Sequence, residues 1–370
     1  MSASPAALSR LREEVRSFLA ERAGSFVPTV DSWMNGYSRE FTRELAGRGW
    51  LGMTWPEEYG GHGRTPSERF VVMEELLAAG APVSAHWAGD RQVGPALLRN
   101  GTEEQKRRFL PAMAAGEALF CLGLSEPDSG SDLASVRTSA RRQDDGSWLL
   151  NGSKLWTSGA HEKDYMLTLC RSTAGSDRHD GLSQFIVDLR SPGVTVRPVL
   201  LISGEHHFNE VVLEDVRVDA DLLLGEEDGA WAQVTSELAD ERAGPERYMT
   251  TMALIRAFAE EADGSRPDHV ETVGRLAAQL FALRAMSLEV VASVERGETP
   301  SLAAATAKDV GTRFEQESIE EIRRAIGGIA PRGGRLAEQL DRATMHSPGF
   351  TIRGGTTQVL RSIIAGKLGM

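Results

Sequence analysis

The residue pattern of this chain changes character twice, and that change constrains the fold more than any single motif. Up to about residue 118 the apolar residues recur at helical spacing. Leu8, Leu11, Val15 and Phe18 do so among Arg and Glu, which marks an amphipathic helix and not a secretory leader. Phe70, Val71, Met73, Leu76 and Leu77 line one face of a predicted helix that ends at Gly80. Thr102, with Gln105 three residues on, is an N-cap for a helix running into Phe109 and Leu110. From about 119 to 226 the spacing becomes that of short strands: Tyr165 to Cys170, Gln184 to Leu189, Val194 to Val199 and Phe208 to Val218. Trp148-Leu149-Leu150, then Asn151-Gly152, then Leu155-Trp156 predicts a tight hairpin, because Asn-Gly supplies the positive φ angles of such a turn. From about 227 the helical spacing returns, opened by Trp231, Val234 and Leu238 and continued near 268–295 and 301–327.

Three domains follow: helical over 1–118, β over 119–226, helical over 227–370. The length of 370 residues, too great for one small core, agrees. With every strand in the middle, the fold class is α+β with a small central sheet or barrel. Alternating βαβ units, and with them a doubly wound dinucleotide fold, are excluded. The net charge of −12, from 41 basic and 53 acidic residues, argues against non-specific nucleic-acid or anionic-membrane binding. Cys121 and Cys170 make neither a disulfide framework nor a zinc site, so no metal is expected and a reducing cytoplasm is the simplest setting. No apolar stretch reads as long enough to span a bilayer.

Four segments could carry chemistry. Leu124-Ser125-Glu126-Pro127-Asp128-Ser129-Gly130-Ser131-Asp132 follows an apolar strand and forms a tight loop rich in donors. Such a loop can present amides and hydroxyls to a phosphate or a polar ring edge, although Pro-Asp-Ser-Gly is also ordinary turn chemistry. Trp156-Thr157-Ser158-Gly159 places an aromatic wall beside two hydroxyls, which suits a flat heteroaromatic ring or a strand-end Trp on the core. Glu241 continues the helical face of Trp231, Val234 and Leu238, and a carboxylate on an apolar face has a raised pKa suited to a general base. A buried structural ion pair is the other reading. Arg242 points about 100° away on the same wheel, and Pro245 should distort the helix, since it cannot donate to the Glu241 carbonyl. Arg353-Gly354-Gly355-Thr356-Thr357-Gln358 reads as a helix N-terminus open to close approach by a ligand, or simply as a turn with a Thr cap.

Taken in order, these segments resemble the acyl-CoA dehydrogenase family over nearly the full length. The resemblance implies a helical N-terminal domain, a central β-domain and a C-terminal four-helix bundle, with FAD as cofactor. Leu124 to Asp132 is similar to the family's Thr-Glu-Pro-x-Ala-Gly-Ser-Asp loop, with Ser125 for Thr. By resemblance Leu122, Leu124 and Ser125 face the flavin pyrimidine edge, and Ser131 lies near phosphate or the thioester ligand. Trp156, Thr157 and Ser158 match the Trp-x-Thr segment, which would put Ser158 near flavin N5. Gly355, Thr356, Thr357 and Gln358 match the Gly-Thr-Ser-Gln segment that contacts the cofactor.

The departures are informative. Many members carry the catalytic Glu immediately before that Gly-Thr segment, where this chain has Gly354. A minority, including isovaleryl-CoA-type enzymes, place it on the long helix just before an Arg, as Glu241-Arg242 does here. Arg242 is then the substrate-side Arg. The family's homotetramers complete the adenine half of FAD from a neighbouring subunit, using Arg-x-x-Phe-Gly and two Gln residues. Here those places read Gly264-Ser265-Arg266-Pro267, Val270 and Arg324. This resembles bacterial heteromeric enzymes of steroid side-chain degradation, in which a sister subunit supplies the missing groups.

The implied reaction is α,β-dehydrogenation of a fatty, branched or sterol-derived acyl-CoA to a trans-2-enoyl-CoA. Glu241 takes the α-proton, the β-hydride goes to flavin N5, and the Gly354 N–H and the flavin ribityl chain hold the thioester carbonyl. The resemblance further implies an electron-transfer flavoprotein as acceptor and a homo- or hetero-tetramer. Two alternatives stay open: a flavin oxidase or monooxygenase on the same fold, and a scaffolding partner subunit.

Overall fold

The computed structural model describes residues 3–176, 178–241, 244–328 and 333–369, with the backbone alone over 236–241. Its residues form two compact units. One holds Met1–Gly36, Arg64–Val83 and Glu241–Met370; the other holds Tyr37–Gly63 and Ser84–Asp240.

The second unit carries the sheet. Its strands are β1 (Phe120–Gly123), β2 (Ser139–Arg142), β3 (Trp148–Ser158), β4 (Tyr165–Arg171), β5 (Leu182–Asp188), β6 (Val194–Leu200), β7 (His206–Val218) and β8 (Leu223–Leu224). They run in the order β6-β7-β3-β2-β4-β5-β8, with β1 parallel to β4. The helix Glu103–Ala114 begins with a capping box between Thr102 and Gln105, as its sequence predicts. Its Phe109, Leu110 and Met113 bury against Phe120, Leu167 and Ile186 on one side of the sheet. Trp148, Leu150, Phe185, Val187, Val211 and Leu213 form a second core. Strands β4 and β5 contribute to both cores, so they are buried almost continuously and show no alternation.

Asn151-Gly152 makes no hairpin turn. Strand β3 runs straight through it and pairs with β7 along its length. The reason is a close approach from outside the segment: a Cβ at position 152 would lie 2.7 Å from the Thr138 Cα. Asn151 accepts the Asp215 N–H through Oδ1 at 2.9 Å and donates from Nδ2 to the Asp215 carboxylate, also at 2.9 Å. Glycine is required there for close approach and Asn for pairing across a bulge. The turn between β2 and β3 uses Gly146 instead, with φ +85°. Two bulges interrupt the β3–β7 ladder. One places an extra residue on β7 at Asp215 (φ +49°), and the other an extra residue on β3 at Trp156 (φ +62°).

The first unit is helical. The amphipathic helix Pro5–Glu21 buries Leu11, Val15 and Phe18 and lies on Pro66–Ala78. Arg12 pairs with Glu74 and Glu75, Arg16 with Glu75, and Arg284 with Glu74, so carboxylates on one helix tie down two others. The C-terminal part runs through Met252–Glu261, Pro267–Glu295, Ser301–Ala325, Arg335–Phe350 and Thr357–Leu368. In Pro267–Glu295 the buried His269, Leu276, Leu283 and Val290 recur every seven residues, a single stripe facing its neighbours. The helix as a whole corrects the expectation that no apolar stretch is long enough to span a bilayer. It passes on length and composition, with little of its surface buried and Phe281 74% exposed.

A polar network fills the interior of this unit. Asp31 accepts from Arg353 Nη1 at 2.7 and 2.8 Å and lies 3.2 Å from His346 Nδ1. Burial opposes its charge, but Arg353 and His346 hold its pKa down at about 2. Thr250 gathers the network: its Oγ1 accepts from Trp33 and Arg353, and its N–H donates to Glu315 at 2.8 Å. Burial pushes Glu315 up to about 7, against the pull of Arg353 and the Thr250 donors.

The sign of that shift fixes a pH dependence. A carboxyl whose pKa is higher folded than unfolded favours the native state below the unfolded value of 4.5, and this contribution is lost as pH rises through 7. Relative to Glu315→Gln, the wild-type protein should therefore lose roughly 3 kcal/mol of stability between pH 4 and pH 8. Parallel denaturant titrations across that range check it. A constant difference between the two proteins would refute the assignment.

Candidate functional site

The loop after β1 is built around a buried carboxylate. Glu126 and Ser129 exchange backbone hydrogen bonds at 2.8 and 3.1 Å, closing a tight turn over Pro127-Asp128. The Glu126 side chain accepts from the Arg137 N–H at 2.7 Å, the Thr138 N–H at 2.9 Å and Lys154 Nζ at 2.7 Å. Lys154 is fully buried on β3 and also donates to the Leu124 carbonyl at 3.2 Å. Burial would raise the Glu126 pKa; Lys154 and the two amides outweigh it and hold the carboxyl below its ordinary value. A further bond, Leu155 N–H to Ser125 O at 2.9 Å, fixes the loop to β3. Leu122, Leu124 and Ser125 are left half-buried and Ser131 exposed. Glu126 and Lys154 were not singled out from sequence, although the alternation of β3 marks Lys154 as inward-facing.

The end of β3 presents Trp156 to solvent, 53% exposed, with its ring edge-on to Phe208 at 5.5 Å. Ser158 is half-buried. Thr157 differs from its neighbours: it is 1% exposed, and its hydroxyl has no hydrogen-bond partner among the described residues. Its side chain is buried, unlike the exposed Trp156 and the half-buried Ser158 on either side of it. The Thr157 carbonyl accepts from Asn209 Nδ2 at 3.0 Å. Asn209 Oδ1 in turn lies 3.1 Å from His161 and 2.8 Å from His206, whose rings stack at 3.7 Å. Sequence reading missed these three residues, since they meet only across the β3–β7 ladder.

The helix Ala230–Glu241 buries Ala230 and Val234 against Val136, Leu169 and Leu182, so its inner face starts as the apolar spacing predicts. Trp231 stacks on His179 at 4.5 Å. The Glu241 backbone ends this helix; its side chain, and all of Arg242, lie outside the described residues. Pro245 opens the short 3₁₀ turn Pro245–Arg247.

In the helical unit, Gly354 (φ +65°) and Gly355 (φ +92°) form a left-handed pair that a side chain would strain. A Cβ on Gly354 would lie 3.0 Å from both terminal nitrogens of Arg247 and 3.1 Å from its Cζ. Arg247 is 3% exposed and stacks over Trp33 at 5.2 Å, while Arg353 covers the same ring at 4.5 Å. The Gly355 carbonyl accepts from Lys308 Nζ at 2.9 Å. Thr356 caps the helix Thr357–Leu368 by accepting the Val359 N–H at 3.3 Å. Gly354, Gly355, Thr356 and Thr357 are half-buried and Gln358 is exposed. No acceptor among the described residues meets the Gly354 or Gly355 N–H. The turn therefore offers two uncommitted amides beside buried guanidinium groups, an arrangement suited to a carbonyl that gains negative charge.

The three family models that describe acyl-CoA dehydrogenase N-terminal, middle and C-terminal domains match residues 6–117, 121–216 and 237–369. Acyl-CoA dehydrogenase FadE29 of Mycobacterium tuberculosis is 36% identical over 338 residues, covering 88% of this chain and 87% of that protein. The solved steroid ACAD Tcur3481-Tcur3483 superposes with a TM-score of 0.89 at 32% identity, covering 100% of this chain and 98% of that one. The ChsE4-ChsE5 complex from Mycobacterium tuberculosis does so with a TM-score of 0.85 at 30% identity, covering 100% and 99%. The three models in chain order span the helices, the sheet and the helices described above, and the chain belongs to the acyl-CoA dehydrogenase family and is an FAD-dependent oxidoreductase acting on acyl-CoA.

Proposed function

We propose that the protein dehydrogenates a bulky, sterol-derived acyl-CoA to its trans-2-enoyl-CoA, with Glu241 as the general base. The observation that carries this reading is the packing at Gly354. A Cβ there would lie 3.0 Å from the Arg247 guanidinium, so a carboxylate on the C-terminal turn would have to shift Arg247 and would stand against its positive charge, which lowers its basicity. A base from elsewhere in the chain suits this turn better, and Glu241 ends a helix that opens by burying Ala230 and Val234 among apolar residues. An apolar setting raises a carboxyl pKa toward working pH, as general base catalysis requires. The likeness to the steroid ACAD Tcur3481-Tcur3483 supports the substrate class.

The residues present fit FAD. Trp156 offers an exposed indole in a left-handed bend, Ser125 and Ser158 offer half-buried hydroxyls, and Leu122 and Leu124 a half-buried apolar edge. Gly355, Thr356, Thr357 and Gln358 would also contact the cofactor, with Ser131 and Arg242 contacting the substrate, as the family resemblance implies. Bound FAD supplies the acceptor for the β-hydride. The chain's own work is to take the α-proton at Glu241 and to donate the Gly354 N–H to the thioester oxygen, stabilising enolate-like charge. An electron-transfer flavoprotein is the proposed onward acceptor.

A second observation favours a hetero-oligomer. Arg324, which stands where homotetramers carry Gln, lines a groove with Gln316, Glu317, Glu320 and Glu321. An acidic groove repels a pyrophosphate, which supports a sister subunit completing the adenine half of the site. The two-chain Tcur3481-Tcur3483 and ChsE4-ChsE5 structures support the same reading.

Glu241→Gln should retain its yellow flavin and lose at least about a hundredfold in turnover; near-normal turnover of an acyl-CoA panel would sink the base assignment. Adding Gly354→Glu should not rescue that variant, because Arg247 would pair with the new carboxylate and lower its basicity. Recovery to within about tenfold of wild type, the factor that one pKa unit represents, would show that position 354 accepts a working base. Expressed alone, the chain should lose flavin on desalting, whereas co-expression with its sister subunit should keep one flavin spectrum through purification. A stable yellow homo-oligomer would remove the heteromeric reading.

A further inference from the structure

Lys308 stands on the helix Ser301–Ala325 and is 1% exposed. Placing an ammonium in the interior costs several kcal/mol unless polar groups receive it. Here its Nζ donates to the Gly355 carbonyl at 2.9 Å. That carbonyl belongs to a stretch with unusually little to hold it. Gly354 and Gly355 have no side chains, both lie at positive φ, and neither N–H meets an acceptor among the described residues. Two consecutive glycines would otherwise sample both signs of φ with little penalty. The turn is gripped at two points: before the glycines by Arg353, held on Asp31 and Thr250, and after them by Lys308.

We propose that Lys308 is a positioning residue for the thioester. By pinning the Gly355 carbonyl it fixes the orientation of the Gly354 and Gly355 amides, which then meet the developing oxyanion without rearranging. The inference rests on the acyl-CoA reading above. It assigns Lys308 no contact with the substrate and no proton to move. Its charge lies one hydrogen bond behind the amides, so its loss acts on their alignment, and misplacement of that order costs about a hundredfold in rate.

The test uses the holoenzyme with trans-2-octenoyl-CoA labelled with carbon-13 at the thioester carbonyl, followed by isotope-edited infrared difference spectroscopy. In wild type the bound carbonyl stretch should fall to lower frequency, reporting hydrogen bonds to the amides. In Lys308→Met most of that fall should vanish, with kcat down roughly ten- to hundredfold and KM changed far less. A merely structural role would leave the carbonyl frequency of the bound ligand where it is. An unchanged stretch in Lys308→Met overturns the inference while leaving the acyl-CoA reading intact. A wild-type enzyme that neither shifts the stretch nor is bleached by any acyl-CoA overturns both. Should Lys308→Met yield no holoenzyme, Lys308→Arg carries the test: it keeps the buried charge but moves the donor. The stretch must then lie between the free and wild-type values, and a wild-type frequency refutes the role of Lys308.

Discussion

Asp31 ties together stretches of the helical unit that are distant in sequence. Its carboxylate receives Arg353 from the C-terminal turn and His346 from the helix before it, and its N–H donates to the Thr250 carbonyl at 3.0 Å. A carboxylate this deeply buried is tolerable only with such partners, and removing any one would leave the others short of a counter-charge. The geometry of the glycine turn depends on this knot. Arg353 cannot move without breaking it, and Arg353 is the residue from which Gly354 departs. The Trp33 ring receives both the Arg353 and the Arg247 guanidinium, and its π-system favours the positive charge of each.

The β-domain uses the same device at its own loop. Glu126 is surrounded by two main-chain amides and an ammonium, and the loop it stabilises leaves its hydroxyls and apolar edge accessible. In both units a short segment rich in glycine and small polar residues is held from behind by buried ions. Nothing in the segment itself needs to provide rigidity, so its front can be given over to a ligand. This follows from the demands of a preorganised site, in which donors must be in place before charge develops.

What could be read from sequence follows from the range of the interaction. The Thr102 capping box and the buried stripe of Leu11, Val15 and Phe18 are decided within a turn or two of helix, and the residue pattern shows them directly. The order of helices, strands and helices was legible for the same reason. The Asn151-Gly152 reading failed because two strands and the backbone of Thr138 converge there, and no local rule reports that approach. The ions behind the site were invisible for a related reason. Lys154 lies 28 residues from Glu126, Lys308 47 from Gly355, and Asp31 322 from Arg353. Only folding brings them together, and their residue types alone would pass for surface charge.

Strand β3 carries a consequence for how such a domain tolerates change. Up to Lys154 its inward residues are even-numbered; from Thr157 they are odd. The left-handed Trp156 makes that exchange of parity, and the matching bulge at Asp215 lets β7 keep step. Deleting one residue between Lys154 and Thr157 would leave a single outward residue between two inward ones, the spacing of a regular strand, so Thr157 would keep its face. What would vanish is the left-handed bend itself, and with it the outward aim of the indole. The surplus residue is thus spent on direction and not on length.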